Sequence, residues 1–496
     1  MVRFVVLIWF ACFLRACALE APSIPREMRG VWVASVGNID WPTKPGAAPA
    51  VQQAELRSLL DNFVKLRLNT VILQVRPACD ALYESAIEPW SEYLTGRMGV
   101  APVPAWDPLQ FAVTEAHARG LELHAWFNPF RARYNEQISP VSPKHISLTH
   151  PRWVANYGHY QWLDPGQPEV RQYSLGVIVD VVRRYDVDGI HIDDYFYPYP
   201  IDVLGVRVPF PDDTSYRAYR QKGGTLERND WRRENINLFV RDLNTAIHNE
   251  KPWVKFGVSP FGIWRPAFPE SVRGLDAYDI LFADSKKWLN DGLCDYFTPQ
   301  LYWNLGAPNQ SFSALLKWWR GQNTKNRLLA PGVASSSIGK DRAAQEIVNQ
   351  VAFCRMGEVT NGVVFWNSSS LRDNKGGVSF RLAKDSFPLP ALVPATPWLD
   401  STPPAVPVLT VAPATPRLGL PLQWNTGTEL PPYAYILQAR FGPFWRWERL
   451  AGTATNYTFA PVGALPSAVR LIPLSRTGVE GTAAEWQRTG RKFPDR

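Results

Sequence analysis

Short apolar segments alternate with amphipathic stretches from about residue 28 to residue 385. Apolar segments that are each followed by a helical pattern are typical of repeated βα units over a parallel sheet. Eight segments have the length and composition of buried strands: residues 30–36, 70–76, 121–127, 189–193, 254–260, 296–302, 328–333 and 362–366. Eight strands close a β/α barrel, so the pattern predicts a (β/α)8 TIM-type barrel over residues 28–385.

The stretches between the predicted strands carry apolar stripes with a helical period. The first stripe consists of Leu56, Leu59, Leu60, Phe63 and Leu66. The second stretch begins with Asp107 and Pro108, a favourable N-cap followed by a favourable first-turn residue. An open, doubly wound sheet is the alternative fold, but no glycine-rich phosphate-binding turn follows the first strand.

The pattern changes after the barrel region. Residues 386–405 contain six prolines, which predicts a semi-rigid linker. From residue 406 to 490, short alternating segments between turn residues predict a small β-sandwich that resembles a fibronectin type III domain. Trp424 and Tyr435 are its expected core aromatics. Phe444, Trp445 and Trp447 form either a sugar-binding platform or part of a core or hairpin cluster.

Composition narrows the choice of partner. The chain of 496 residues has 53 basic and 45 acidic residues, a modest excess without a basic run, and this does not indicate a nucleic-acid-binding protein. A basic surface also suits anionic polymers of the cell envelope. With 21 Trp and 13% aromatic residues the chain is rich in flat apolar faces on which sugar rings pack, although the same residues also fill cores.

The N-terminus has the pattern of a secretory signal peptide over residues 1–18. A basic start and an apolar run over 4–14 precede Ala16 and Ala18, a small-x-small cleavage pattern. We therefore expect an exported protein of the periplasm or cell envelope, without a transmembrane segment. Residues 14–17 partly resemble a lipobox, with Arg15 where a small or apolar residue is usual, so a lipid anchor at Cys17 is the alternative.

Three cysteines remain after the leader, Cys79, Cys294 and Cys354, and they lie far apart in the sequence. Their spacing matches neither a disulfide framework nor a zinc site, although one bridge can form. An odd number leaves at least one free thiol.

Asp193 and Asp194 end an apolar strand and precede the aromatic residues 195–197. Because side chains alternate along a strand, His191, Asp193 and Tyr195 share one face, and Asp194 points to the other. At the carboxyl end of a barrel strand, Asp193 would point into the pocket. The alternative is a pair of aspartates that caps the next helix or holds a loop.

Ordered sequence blocks over residues 28–385 resemble the glycosyl hydrolase-like 10 family of bacterial cell-envelope proteins. The blocks are RGVWV (29–33), QVRP (74–77), Asp80, PWSEYLTG (89–96), LELHAWFNP (121–129), the Asp193-Asp194 segment, FGVSPFGIW (256–264), ADSKKW (283–288) and PQLYW (299–303). The resemblance implies a β/α barrel and glycoside hydrolysis, with relatives that act on peptidoglycan, including glycan strands without peptides. At Cys79 we expect a glycine in the family, so the resemblance does not define this loop.

Glycosidic bond cleavage requires an acid and a second carboxylate. The His-x-Asp context of Asp193 resembles the pattern of a nucleophile on the fourth strand of retaining glycosidase barrels. We therefore expect Asp193 to be the ionised partner and Asp194 to orient a loop or a neighbouring donor, with Asp194 as the alternative nucleophile. The acid must come from a loop: Asp80 and Asp284 rank equally, ahead of Asp40. Asp284 is also a candidate N-cap, and Asp80 a candidate partner of Arg76.

Residues at the predicted strand ends offer the aromatic and amide groups that a polyhydroxylated ring requires. We expect these to contact the substrate: Arg76, His124, Trp126, Asn128, His191, Tyr195, Gln300, Tyr302, Trp303, Trp366 and Asn367. Gln74 shares the predicted face of Arg76. The expected reaction needs no cofactor and no metal.

Two other function classes remain open. A metal-dependent polysaccharide deacetylase could use His191, Asp193, Asp194 and His124, but the histidines lack the His-x-x-x-His spacing usual in such sites. A non-catalytic glycan-binding scaffold is the second alternative, because a barrel can keep its groove and lose its acid. The two adjacent aspartates favour an exported glycoside hydrolase that acts on an envelope polysaccharide.

Overall fold

The computed structural model describes residues 21–134, 139–358, 360–415, 417, 419–426, 431–461 and 464–488. The predicted signal peptide and Cys17 lie outside the described residues. The chain divides into two compact units, and the larger one comprises Pro25–Pro403 and Ser475–Val479. Residues up to 403 of the predicted linker 386–405 therefore belong to the larger unit.

The larger unit contains eight parallel strands, each at a segment where the sequence predicts one. The strands are β1 (Met28–Val33), β2 (Thr70–Arg76), β3 (Glu122–Phe127), β4 (Gly189–Ile192), β5 (Lys255–Val258), β6 (Tyr296–Phe297), β7 (Leu328–Leu329 and Gly332–Val333) and β8 (Gly362–Phe365). They pair in sequence order from β1 to β7, and β8 pairs with β1.

The seventh strand closes the sheet although it is interrupted at Ala330 and Pro331. Its first half pairs with β6, and its second half pairs with β8. The amide of Ala330 still donates to the carbonyl of Phe297 over 3.0 Å. The amide of Val364 donates to the carbonyl of Pro331 over 3.0 Å. The predicted β/α barrel is therefore confirmed.

Helices connect the strands and cover the outside of the barrel. The main ones in the described residues are α1 (Pro49–Lys65), α2 (Pro108–His117), α3 (Pro168–Arg184), α4 (Arg228–Glu250), α5 (Ser285–Asp291), α6 (Phe312–Gln322) and α7 (Ala344–Arg355). All five residues of the predicted stripe in and next to α1 are buried. Helix α2 begins as predicted, with the Asp107 carboxylate accepting a hydrogen bond from the amide of Gln110.

The side chains of strand β1 alternate between two apolar clusters, one outside the barrel sheet and one inside it. Val31 and Val33 pack in the large cluster between sheet and helices, whereas Trp32 belongs to a smaller cluster with Trp126 and Tyr296. Members of this smaller cluster come from strands on all sides, so it fills the barrel interior. The alternation of side chains along each strand therefore separates an outer core from an inner one.

The loops at the carboxyl ends of the strands carry additional short elements. After β3, the strands Arg131–Arg133, Val154–Tyr157 and Tyr160–Leu163 form a small antiparallel sheet. After β4, Asp202–Val203 pairs with Val206–Arg207. Short α-helices in the described residues are Glu92–Thr95, Ile146–Thr149, Asp213–Gln221, Ala277–Ile280, Ser368–Arg372 and Val378–Arg381, and a π-helix spans Leu382–Ser386. Short 3-10 helices span Val36–Asn38, Pro151–Trp153, Ser335–Ser337, Met356–Glu358 and Lys375–Gly377.

The smaller unit is all β, as predicted. Its described residues form β9 (Val408–Val411), β10 (Leu420–Asn425), β11 (Ala434–Phe441), β12 (Phe444–Ala451), β13 (Asn456–Phe459), β14 (Ala468–Leu474) and β15 (Ala484–Gln487). The antiparallel sheets have the orders β9-β10-β13 and β12-β11-β14-β15. Trp424 and Tyr435 are buried, with ring centroids 5.6 Å apart, so both core predictions are confirmed. Phe444, Trp445 and Trp447 lie on the outer hairpin strand β12, where Phe444 is exposed.

Cys79, Cys294 and Cys354 are all buried free thiols. Cys79 has a φ of +53°, in the left-handed region that favours glycine.

None of the helices in the described residues combines the length and apolar composition that crossing a bilayer requires.

Candidate active site

A cleft of about 270 Å³ opens at the carboxyl ends of the barrel strands. Its described lining consists of Trp32, Val36, Ile39, Gln74, Trp126, Arg131, Tyr134, Asp193, Asp194, Tyr195, Tyr199, Ser259, Gln300, Tyr302 and Trp366. These residues lie at or beyond the ends of seven of the eight strands. The cleft therefore occupies the position of the active site in TIM-barrel enzymes.

Asp193 lies at the bottom of the cleft and is held by two side-chain donors. Its Oδ2 atom accepts hydrogen bonds from Nε1 of Trp126 over 3.1 Å and from Nδ2 of Asn128 over 2.6 Å. The amide of Tyr195 donates to Oδ1 over 3.3 Å. Because all three donors lack a lone pair to offer in return, this arrangement favours the ionised form of Asp193.

Asp194 also lines the cleft, which differs from the prediction that it points to the opposite side of the strand. Strand β4 ends at Ile192, so strand alternation does not extend to the two aspartates. The Oδ1 atom of Asp194 accepts a 2.8 Å hydrogen bond from Nε2 of Gln300, and its Oδ2 atom contacts the Tyr199 hydroxyl. In this placement the Tyr199 hydroxyl donates to Oδ2. A tyrosine hydroxyl can also accept, so after the hydroxyl rotates it would accept from a proton on Oδ2 of Asp194.

Burial controls the charge of this carboxylate pair. Burial, together with the charge of Asp194, raises the pKa of Asp193 to about 7, and burial also raises the pKa of Asp194. Two adjacent buried carboxyl groups titrate as a pair, because each charge opposes the ionisation of the other. The pair therefore retains one proton into the neutral pH range, and the donor geometry favours Asp194 as its carrier.

A chain of polar contacts fixes the Asn128 amide that holds Asp193. The Oδ1 atom of Asn128 accepts hydrogen bonds from Nε2 of Gln74 over 2.6 Å and from the guanidinium of Arg131. The Oε1 atom of Gln74 in turn accepts from the backbone amides of Ser35 and Val36, each over 2.9 Å. Every oxygen in this chain has a donor, so the Asp193 carboxylate is preorganised by three neighbouring strand ends.

Three tryptophans form the apolar wall of the cleft. The ring centroids of Trp32 and Trp366 lie 6.2 Å apart, and those of Trp126 and Trp366 lie 6.1 Å apart, both in edge-to-face geometry. Tyr302 completes the lining, and burial and the charges of Asp194 and Asp193 raise its pKa. Aromatic faces beside hydrogen-bonding groups are the combination that binds sugar rings.

Comparison with known proteins agrees with this geometry. A model of the family described as glycosyl hydrolase-like 10 matches residues 27–348. The chain belongs to the glycosyl hydrolase-like 10 family. The glycosyl hydrolase YngK of Bacillus subtilis (strain 168) is 40% identical over 423 residues, which cover 82% of this chain and 81% of YngK.

Two further comparisons with this glycosyl hydrolase-like 10 protein are informative. The glycosyl hydrolase DigH of Escherichia coli (strain K12) is 37% identical over 337 residues, which cover 64% of this chain and 74% of DigH. The solved glycoside hydrolase domain of PgaB (BpsB) from Bordetella bronchiseptica superposes with a TM-score of 0.51 at 14% identity, covering 73% of this chain and 99% of that domain. The family assignment makes the protein a glycoside hydrolase, and the superposition supports the barrel fold.

The two histidines that the sequence predicts as substrate contacts, His124 and His191, lie below the cleft. His191 contacts Nε1 of Trp32, the Ser259 hydroxyl and the Tyr296 hydroxyl at 2.8–3.1 Å. Burial, and to a smaller extent His124, lowers the pKa of His191 well below its usual value, so the ring is neutral. His124 lies deeper, between the Tyr296 hydroxyl at 2.8 Å and the Glu122 carboxylate at 3.2 Å. Neither ring is part of the cleft lining.

Arg76 and Asp80 are fully buried and do not line the cleft. The Arg76 guanidinium forms an ion pair with Glu88 over 2.6 Å and donates to the carbonyl of Asn128 over 2.7 Å. Asp80 accepts a 3.0 Å hydrogen bond from the amide of Ala78, and burial raises its pKa to about 6. Contact with an intact sugar substrate would require a rearrangement at both residues.

The remaining predicted residues also lie outside the cleft lining. Asp284 caps α5 by accepting from the amide of Lys287, and it accepts from Nε1 of Trp264 over 3.1 Å. Asp40 and Asn367 bind each other over 2.9 Å. Trp303 packs edge-on against Phe261. The predictions that do line the cleft are Trp126, Asp193, Asp194, Tyr195, Gln300, Tyr302 and Trp366, with Asn128 directly behind Asp193.

Sequence reasoning missed some residues of the site, namely Trp32, Arg131, Tyr134 and Tyr199. Trp32 could have been found, because it alternates with two valines that pack outward. Arg131, Tyr134 and Tyr199 lie after the barrel strands, so the alternation of side chains along a strand does not predict where their side chains point.

Within the described residues, no group of three or more His, Cys, Asp or Glu side chains could hold a metal ion.

Proposed function

We propose that this glycoside hydrolase is exported and cleaves glycosidic bonds in the glycan strands of peptidoglycan. The observation that carries the proposal is the buried Asp193–Asp194 pair within an aromatic cleft. The pair retains one proton and one charge near neutral pH, which supplies an acid and a carboxylate in one place.

The family resemblance supports peptidoglycan as the substrate class. A net charge of +8 favours association with an anionic envelope polymer. The tryptophan wall suits the apolar faces of sugar rings in an unbranched glycan strand. Peptide-free strands are the preferred test substrate, because their backbone reaches the cleft without stem peptides.

Product analysis tests the proposal. The mature protein and its Asp193→Ala variant are incubated with purified peptidoglycan and with peptide-free glycan strands, and soluble products are separated by mass. Asp61→Asn is the matched control, because Asp61 is an exposed acid on α1. We expect reducing-end oligosaccharides from the wild type and the control, and a loss of about 100-fold or more in Asp193→Ala.

Other results would select a different function. Pull-down of strands without any product, by wild type and variant alike, would identify a glycan-binding scaffold. Released acetate without chain cleavage would identify a deacetylase. Either result contradicts the proposed hydrolysis of peptidoglycan.

The proposed location is the periplasm or cell envelope. It rests on the signal pattern of residues 1–18, with lipidation of Cys17 as the alternative to a free mature protein. Mass spectrometry of the N-terminus of the protein from its own host decides between cleavage after Ala18 and a diacylglyceryl group on Cys17. An intact Met1 would contradict export through this leader.

A further inference from the structure

The cleft has a carboxyl pair on one side and aromatic rings on the other. Among the described lining residues, Asp193 and Asp194 are the carboxylates, and they are neighbours in the chain. Strand β4, which they follow, lies across the barrel from β8 and β1. Trp366 and Trp32 come from these two strands, and an indole cannot attack an anomeric carbon.

Glycosidases that use two enzyme carboxylates place them on either side of the bond that is cleaved. The carboxyl groups are about 5–5.5 Å apart in retaining enzymes and about 6.5–9.5 Å apart in inverting enzymes. Consecutive Cα atoms are only about 3.8 Å apart, and both aspartates follow directly on the same strand, β4, with their side chains held by donors that follow β3 and β6. The described cleft therefore offers an acid but no carboxylate on the opposite face of the sugar.

We infer that the nucleophile is the 2-acetamido group of the substrate itself, with Asp193 orienting that group and Asp194 acting as general acid and base. This inference rests on the proposed function and defines its substrate class. The sugar bound beside the pair must carry an N-acetyl group at C2.

The reaction balances without an additional reactant. The acetamido oxygen attacks C1 while the bond from C1 to the leaving oxygen breaks, and Asp194 gives its proton to that oxygen. The product is a bicyclic oxazolinium ion, whose N–H donates to the Asp193 carboxylate. Water then attacks C1, Asp194 takes one of its protons, and the bond from C1 to the acetamido oxygen breaks. The acetamide is restored, and two displacements leave the configuration at C1 retained.

The contacts of the two aspartates fit these roles. Asp193 is held by Trp126, Asn128 and the amide of Tyr195, so its carboxylate is fixed and ionised before the substrate arrives. The Oδ2 atom of Asp194 accepts from the Tyr199 hydroxyl, which can rotate and accept in turn when Asp194 carries the proton. The indole of Trp126 lies beside Asp193, where it can pack against the methyl group of the acetamide.

The experiment separates this inference from the proposed hydrolysis. Peptide-free glycan strands are digested before and after chemical N-deacetylation, and the anomeric configuration of the first product is read by proton NMR. Independently, calorimetry measures binding of the thiazoline derived from N-acetylglucosamine, a stable analogue of the bicyclic intermediate. The variants are Asp193→Asn and Asp194→Asn, with Asp61→Asn as the control.

We expect cleavage with retention, a loss of at least about 100-fold on deacetylated strands, and thiazoline binding that Asp193→Asn weakens at least tenfold. Cleavage with inversion, or equal cleavage of deacetylated strands, would overturn the inference while hydrolysis stands. If no strand is cleaved, the proposed function fails, and thiazoline binding still decides: binding that depends on Asp193 supports the inference, and its absence overturns it.

One additional variant addresses an enzyme nucleophile outside the described residues. Glu136, which follows Tyr134 by two positions in the sequence, is replaced by glutamine. Activity within about threefold of the wild type agrees with the inference. An inactive Glu136→Gln that azide restores, with formation of a glycosyl azide, would assign the nucleophile to Glu136 and overturn the inference.

Discussion

The Nδ2 atom of Asn128 donates a 2.6 Å hydrogen bond to the carboxylate of Asp193, and both groups are buried. Hydrogen bonds to a charged group contribute about 1.5–3 kcal/mol, and this one favours the ionised form of Asp193. We therefore expect Asn128→Leu to lower kcat by about 10- to 100-fold. The acidic limb of the pH profile should move to higher pH, because the pKa of Asp193 rises without its donor.

Gln74→Leu is the matched comparison, because Gln74 contacts Asn128 and not Asp193. Its effect on kcat should be smaller, with a correspondingly smaller shift of the acidic limb. Equal losses in the two variants without a shift of the pH profile would mean that Asn128 only supports the local fold.

Activity should depend on the proton that the Asp193–Asp194 pair retains. Burial raises the pKa of Asp193 to about 7, a value that describes the coupled pair. Above that pH the general acid loses its proton, so kcat/KM should fall about tenfold per pH unit. Initial rates on peptide-free strands from pH 4 to pH 9 measure this limb. A rate that stays constant to pH 9 would show that the acid is not this pair.

The Asp193–Asp194 pair should lower the stability of the fold as the pH rises. Burial raises the pKa of Asp193 to about 7, from near 4 in the unfolded chain, so the folded state binds a proton on the pair more tightly. The stabilising contribution of this proton is complete below pH 4 and is lost as the pH rises through 7. Asp193→Asn removes the neighbouring charge that opposes the ionisation of Asp194, so the variant should lose less stability over this range. Asp193→Asn should therefore gain on the order of 2 kcal/mol relative to the wild type between pH 4 and pH 8.

Calorimetric melting at pH 5 and pH 8 measures this difference. The exposed control Asp61→Asn should differ from the wild type by the same amount at both pH values. A Tm difference for Asp193→Asn that is independent of pH would contradict the shifted pKa.

Arg76 should stabilise the barrel without contributing to substrate affinity. Its ion pair with Glu88 is fully buried, and removing one partner leaves an uncompensated charge. Glu88→Gln should lower the free energy of unfolding by about 3–5 kcal/mol. Tyr173→Phe removes one hydrogen bond to Glu88 and should cost only about 1 kcal/mol. A raised KM with an unchanged Tm in Glu88→Gln would instead support the prediction that Arg76 contacts the substrate.

The sequence was sufficient to predict the eight strands, because each is an apolar segment with a helical pattern behind it. It could not place Arg76. The sheet register shifts between Gln74 and Arg76, so this irregularity breaks the alternation that would put both residues on one face. Gln74 therefore lines the cleft, while Arg76 pairs with Glu88.

The sequence pattern also did not predict how deep along the barrel axis a side chain lies. His124 and Trp126 share the inward face of β3, but His124 is two residues earlier and lies in the filled interior. Alternation predicts the face of a strand, whereas the level of the cleft depends on how the strands are staggered. Asp194 illustrates a third limit, because alternation ends with the strand at Ile192.

The turn Ser475–Val479 belongs to the larger unit although it lies between β14 and β15 of the smaller unit in the chain. Within that unit, the amide of Thr396 donates to the carbonyl of Thr477 over 2.8 Å, and Arg26 donates to the carbonyl of Gly478 over 2.9 Å. A recombination event at one point near residue 403 would remove these bonds together with the strands. A C-terminal region joined in evolution by a single splice at the proline-rich segment must therefore bring an equivalent turn for the larger unit.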